Sequence, residues 1–169
     1  MRTAAGNLAF ALAGPGLEAV VGPLVLVLVA GTEDAGWAWP VRAVGVALIA
    51  GGVAVLLDVF ARFVREGRGT PSPAAPARAL MRGGSFGVVR HPMYVATAAV
   101  IAGEALAFAQ PILLVAAAVY LAAMATLGVV VEEPRLARRF GAQYDAYRRD
   151  VPGWLPRPPR ALRRSPRRP

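Results

Sequence analysis

Apolar residues along this chain fall in long blocks, not in the short periodic runs of a soluble domain. The first block runs from about Asn7 to Ala30. About 20 residues at 1.5 Å rise cross a hydrocarbon core of about 30 Å, so this block is long enough to span. Gly14-Pro15-Gly16 and Gly22-Pro23 interrupt it and predict a kink. The second block runs from about Pro40 to Val64, and the third from about Met93 to Ala109. Gln110-Pro111 makes a tight turn into a fourth, which ends near Val131. The pattern predicts an all-α polytopic membrane protein of about four transmembrane helices, followed by a C-terminal helical segment on the cytoplasmic side. Residues 1–157 read as one membrane-embedded domain, and residues 158–169 as a basic, disordered tail.

Polar segments fix the expected orientation. Residues 31–39 carry Glu33 and Asp34 but no arginine, and Trp37 and Trp39 suit a headgroup-level aromatic belt. Residues 65–90 hold Arg65, Arg68, Arg78, Arg82 and Arg90, and charge returns from Glu132 onward. Arginine on cytoplasmic loops then places both termini and the 65–90 loop in the cytoplasm, with Arg42 the one dissent.

Composition adds exclusions. The 169 residues are 56% hydrophobic with mean hydropathy +0.49. All 19 basic residues are arginine, and the formal charge is +9. These arginines cluster beside apolar blocks and no nucleic-acid reading module accompanies them. The expected partners are therefore membrane lipids, not nucleic acid. With no cysteine and one histidine, a thiolate or multi-histidine metal site is excluded. No phosphate-binding glycine motif is present.

Two segments bring candidate chemistry to one membrane boundary. One is Gly84-Ser85-Phe86-Gly87-Val88-Val89-Arg90-His91-Pro92-Met93-Tyr94; the other is Glu132-Glu133-Pro134 and the residues that follow. Together they offer a cation, an imidazole, a phenol and two carboxylates. Pro92 disfavours helical geometry at His91, so the third helix should start at the proline. Antiparallel packing of blocks three and four should then bring His91 level with Glu132 and Glu133. Adjacent helical residues diverge by about 100°, so the two glutamates should not meet one ligand identically. These residues alone leave the reaction open.

The two segments resemble the isoprenylcysteine carboxyl methyltransferase and phospholipid methyltransferase families of membrane enzymes. The families' Arg-His-Pro-x-Tyr-x-Gly is similar to Arg90-His91-Pro92-Met93-Tyr94-Val95-Ala96. Their Glu-Glu pair, Phe-Gly-x-x-Tyr-x-x-Tyr and Val-Pro end are similar to Glu132-Glu133, Phe140-Gly141-Ala142-Gln143-Tyr144-Asp145-Ala146-Tyr147 and Val151-Pro152-Gly153-Trp154. The resemblance covers roughly residues 40–157. It departs at Ala96, where the families have glycine, and at Gly153, where arginine is frequent. It implies methyl transfer from S-adenosylmethionine to a lipophilic or membrane-dissolved carboxylate or amine. It also implies that His91, Tyr94, Glu132 and Glu133 bind the cofactor, with Arg90 and Tyr94 as catalytic candidates. An NADPH-dependent reductase of the sterol-reductase type is an alternative, since those enzymes show a similar Arg-x-x-Pro-x-Tyr turn. A non-catalytic protein with a lipid-binding tail is another.

Other polar residues have plainer expectations. Asp58 and Arg62 are spaced for a helical ion pair. Glu104 should lie toward the outer leaflet, and Glu18 has no evident role. Tyr144 and Tyr147 read equally as packing or site residues, and Trp154 as an interfacial anchor.

Overall fold

A computed structural model describes residues 12–30, 34–65 and 79–156. The expected arginine-bearing stretch at 66–78 and the tail at 158–169 lie outside the described residues. Those described form helices and turns, with no strand among them. A π-helical segment, Leu12–Val21, passes into α1 (Gly22–Ala30) at Gly22-Pro23, where a break was expected. Then come α2 (Trp39–Arg65), the single turn α3 (Ser85–Val88), α4 (Pro92–Ala107) and α5 (Ile112–Leu127). A second π-helical segment, Gly128–Glu132, joins α5 to α6 (Glu133–Phe140), and α7 (Ala142–Asp150) follows.

Two helices are long and apolar enough to cross a membrane: Trp39–Phe63, and the continuous rod Ile112–Phe140. The segments Leu17–Ala30 and Pro92–Ala107 are apolar but shorter. The fourth block was expected to stop near Val131; the helix instead runs on to Phe140. A run of charge ends an apolar block but need not end a helix, and Glu, Arg and Leu are all good helix formers. Most side chains on the two long helices face outward. Trp39 is 78% exposed and Val130 is 65% exposed, which suits hydrocarbon and not water.

The packing core is built on close backbone approach. On α2, Gly45 faces Gly103 and Ala107 of α4, and Gly52 faces Ala96 and Val100. A Cβ at Gly103 would stand 2.7 Å from the Gly45 carbonyl oxygen, and one at Gly45 would stand 2.4 Å from the Ala107 amide nitrogen. Small residues permit this contact where no hydrophobic effect drives helices together. Ala96 is buried at this contact, its carbonyl facing Gly52. Gly51, one residue away, has nothing within 4 Å of its Cβ position. Gly103→Val should therefore destabilise the fold by about 1–3 kcal/mol through overpacking. Gly51→Ala should be neutral or stabilise by up to about 1 kcal/mol through helix propensity. Thermal unfolding of both variants in nanodiscs checks the contrast.

At the Gln110 end of α4 the chain turns through Ala109, and the Ala35 amide donates to the Ala109 carbonyl at 2.9 Å. Arg42 pairs there with Asp34 at 2.7 Å and donates to the Trp37 carbonyl. The guanidinium holds the Asp34 carboxyl below its ordinary range, helped by the Gly36 amide. The arginine that dissented from the charge asymmetry is thus paired with a carboxylate of the same loop.

Candidate functional site

Pro92 occupies the first turn of α4, and His91 lies just outside it with φ −118° and ψ 57°, clear of the helical region that a following proline disfavours. The antiparallel α4–α5 hairpin brings His91 level with the far end of the α5 rod. His91 Nδ1 lies 3.4 Å from Glu132 Oε2, and Nε2 lies 3.4 Å from Glu133 Oε1. The adjacent glutamates do diverge, and they reach opposite nitrogens of one ring. The Tyr94 hydroxyl, one turn along α4, donates to Glu132 Oε1. All four residues expected to share a site therefore meet.

Arg90 is the brace. Its Nη2 donates to Glu133 Oε1 at 2.7 Å, with both side chains largely buried. Its Nη1 donates to the carbonyls of Val151 at 2.8 Å and Arg148 at 3.2 Å, the last of these in the final turn of α7. Arginine suits this place because its five donors form a planar fork. The Arg90 and His91 amides also donate to the carbonyls of Pro152 at 2.8 Å and Gly153 at 3.1 Å. This main-chain clasp fixes the segment after α7 across the start of α4. A Cβ at Gly153 would stand 3.3 Å from Arg90 Nη2, so the glycine leaves room for that guanidinium.

The clasp delivers Trp154 to the site, a role the sequence favours less than that of an interfacial anchor. Trp154 is not simply an interfacial anchor. Its ring stacks on His91, with centroids 4.4 Å apart and planes 15° apart, and lies nearly parallel to Tyr94 at 6.3 Å. Gly128 lies under this stack, where a Cβ would stand 3.0 Å from the Trp154 ring and 3.1 Å from His91 Cε1. The signal available in the sequence was the proximity of Trp154 to the Val151-Pro152-Gly153 motif.

Behind the site, Asp58 and Arg62 form the expected ion pair at 3.0 Å. Asp58 also accepts from the Ser85 hydroxyl at 2.7 Å and amide at 3.0 Å, tying α2 to the turn before Arg90. Gly84 precedes that turn at φ 55° and ψ −131°, a region effectively confined to glycine. A Cβ there would also fall on the Arg62 guanidinium, so a larger residue would have to displace that side chain. Asp58→Ala should cost about 1–2 kcal/mol, reduced from a fully buried network because the pair is partly exposed. Chemical denaturation in detergent micelles measures it.

Tyr144 and Tyr147 of α7 are both buried. Tyr147 donates to the Phe86 carbonyl at 2.6 Å, and burial pushes its phenol up to about 12. Burial also raises the Tyr144 phenol; the Glu133 carboxylate adds to the shift and the Arg90 guanidinium opposes it. These two tyrosines seat α7 beneath the site. Glu104 lies near the other end of α4, about 20 Å away along the helix.

Among the described residues, Arg90 Nε and the Tyr144 hydroxyl are both buried without a hydrogen-bond partner. No group of three or more metal-ligating side chains occurs among the described residues.

A family model, phospholipid methyltransferase, matches residues 41–143. That span takes in α2, the Arg90–Tyr94 turn, the hairpin and Glu132-Glu133. No curated protein and no solved structure matches the chain.

Proposed function

The chain belongs to the phospholipid methyltransferase family, and from that premise we propose that it transfers a methyl group from S-adenosylmethionine to a lipophilic amine at the membrane boundary. The observation that carries this reading is the convergence of Arg90, His91, Tyr94, Glu132, Glu133 and Trp154 at one end of the α4–α5 hairpin. The donor set fits the cofactor. Two carboxylates suit an ammonium or ribose hydroxyls, and three near-parallel rings suit a sulfonium or a purine face. When bound, S-adenosylmethionine supplies a methyl already activated as part of a sulfonium.

This chain's own residues bind and orient. Glu133 is held by Arg90, and Glu132 by Tyr94, so both carboxylates are set before any ligand arrives. Trp154 covers His91 and limits water at the ring. Carboxylates and aromatic faces outnumber cations here, and Arg90 is already engaged by Glu133 and two carbonyls. That balance favours an amine acceptor over a carboxylate one.

Calorimetric titration of the full chain in nanodiscs tests the assignment. S-adenosylmethionine should bind saturably, whereas NADPH should not. Saturable binding of NADPH alone would replace the reading with the reductase one.

The same proposal includes four membrane spans, with the first helical stretch, Leu12–Ala30, and α4 crossing beside the two longer helices, and the site on the cytoplasmic side. The arginine asymmetry supports it. The chain has no cysteine, so single cysteines report cleanly. Cysteines placed at Thr32 and Ser72 should be labelled from opposite sides by an impermeant maleimide. Labelling from the same side would remove the four-span topology.

A further inference from the structure

Glu18 stands outside the site yet inside the apolar part of the chain. It lies beside a groove of about 570 Å³ between the first helix and the α4–α5 hairpin, within the usual size range of small-ligand pockets. Leu26, Ile101, Val115 and Val119 line the groove, and its walls are otherwise apolar except for Glu18 and Tyr120. The Tyr120 hydroxyl donates to Glu18 Oε2 at 3.0 Å. Among the described residues no arginine pairs with Glu18.

A carboxylate at membrane depth is costly, and such residues are retained mainly where they bind or relay something. One phenol hydroxyl satisfies only part of a carboxylate's capacity, which is about four lone-pair sites. A cation would complete it, and the groove accepts a hydrocarbon beside it. The location connects this pair to the site already described. Tyr94 and Ile101 are seven residues apart on α4, two helical turns or about 10 Å, and so lie on one face.

We propose that the groove beside α1 is an intramembrane binding site for a lipophilic amine, its hydrocarbon along Leu26 and Val119 and its ammonium on Glu18 and Tyr120. Its connection to the reaction rests on the methyltransferase reading: the groove holds the acceptor on its way to Tyr94 and Glu132. Binding to the groove itself does not depend on that reading.

The test uses two probes, dodecylamine and dodecanol, each carrying a diazirine near the chain end. The full-length protein is embedded in phosphatidylcholine nanodiscs and photolabelled, and the labelled peptides are mapped by mass spectrometry. Dodecylamine should label peptides containing Leu26, Val115 or Val119 at lower concentration than dodecanol does. In Glu18→Gln, half-maximal labelling by the amine should need at least about tenfold more probe, while the alcohol is unaffected. Gln keeps an acceptor for Tyr120, so the helix contact survives. Tyr120→Phe, which leaves the carboxylate in place, should give a smaller shift of the same sign. Equal labelling by amine and alcohol in the native chain would overturn the proposal, as would an unchanged amine response in Glu18→Gln. S-adenosylmethionine titration of the same samples separates the two readings. Amine labelling that depends on Glu18, without cofactor binding, keeps the groove and removes the methyltransferase; the reverse result removes the groove alone.

Discussion

Arg90→Ala should lower stability by about 3–5 kcal/mol, the usual consequence of removing one partner from a buried ion pair. The loss has three parts in this chain. Glu133, 8% exposed, keeps only the 3.4 Å contact with His91. The carbonyls of Arg148 and Val151 lose their shared donor at the end of α7. The main-chain clasp on Pro152 and Gly153 then stands without the side chain that braces it. Arg90→Lys should recover little, because one ammonium cannot follow the three directions of the guanidinium fork. Thermal unfolding in nanodiscs gives the magnitude. Limited proteolysis after residue 150 reports release of the segment that carries Trp154. An Arg90→Ala protein with native melting and a protected C-terminal segment would contradict the brace.

His91→Ala and Glu133→Ala should each weaken S-adenosylmethionine binding by at least about tenfold. A hydrogen bond to a charged group contributes about 1.5–3 kcal/mol, which is roughly 10- to 150-fold in affinity. His91 carries a second role as the platform for Trp154, so its loss removes both a contact and the covering ring. Trp154→Ala separates the two, leaving the imidazole and both carboxylates while exposing the ring. Glu104→Gln, at the other end of α4, is the comparison and should change affinity little. Calorimetric titration, with unfolding measured for every variant, decides it. Unchanged binding in both site variants would move the cofactor elsewhere.

Much of this site could be read in the sequence because its causes are local. Pro92 sets its own neighbour's geometry and the start of α4, and a four-residue spacing pairs Asp58 with Arg62. The tight turn at Gln110-Pro111 and two apolar blocks of similar length put His91 beside Glu132 and Glu133. The parts that could not be read depend on backbone atoms or distant partners. The acceptors for Arg90 include carbonyls of residues 148 and 151, and any residue type supplies a carbonyl. The bond from Ser85 to Asp58 joins positions 27 apart. Trp154 offers the same letter whether it sits in headgroups or on an imidazole; only the clasp distinguishes them. The π-helical segment at Gly128–Glu132 has no sequence signature, and it turns the glutamates relative to an ideal α-helix.

The clasp also sets an order on biosynthesis. His91 is synthesised long before residues 152–154, yet its amide and ring are completed by them. A nascent chain that has already formed α4 and α5 still lacks the strap across its site. Closure therefore waits until residue 154 has left the ribosome. A reporter fused directly after Trp154 would crowd this last step, whereas one joined through a long flexible linker would leave it free.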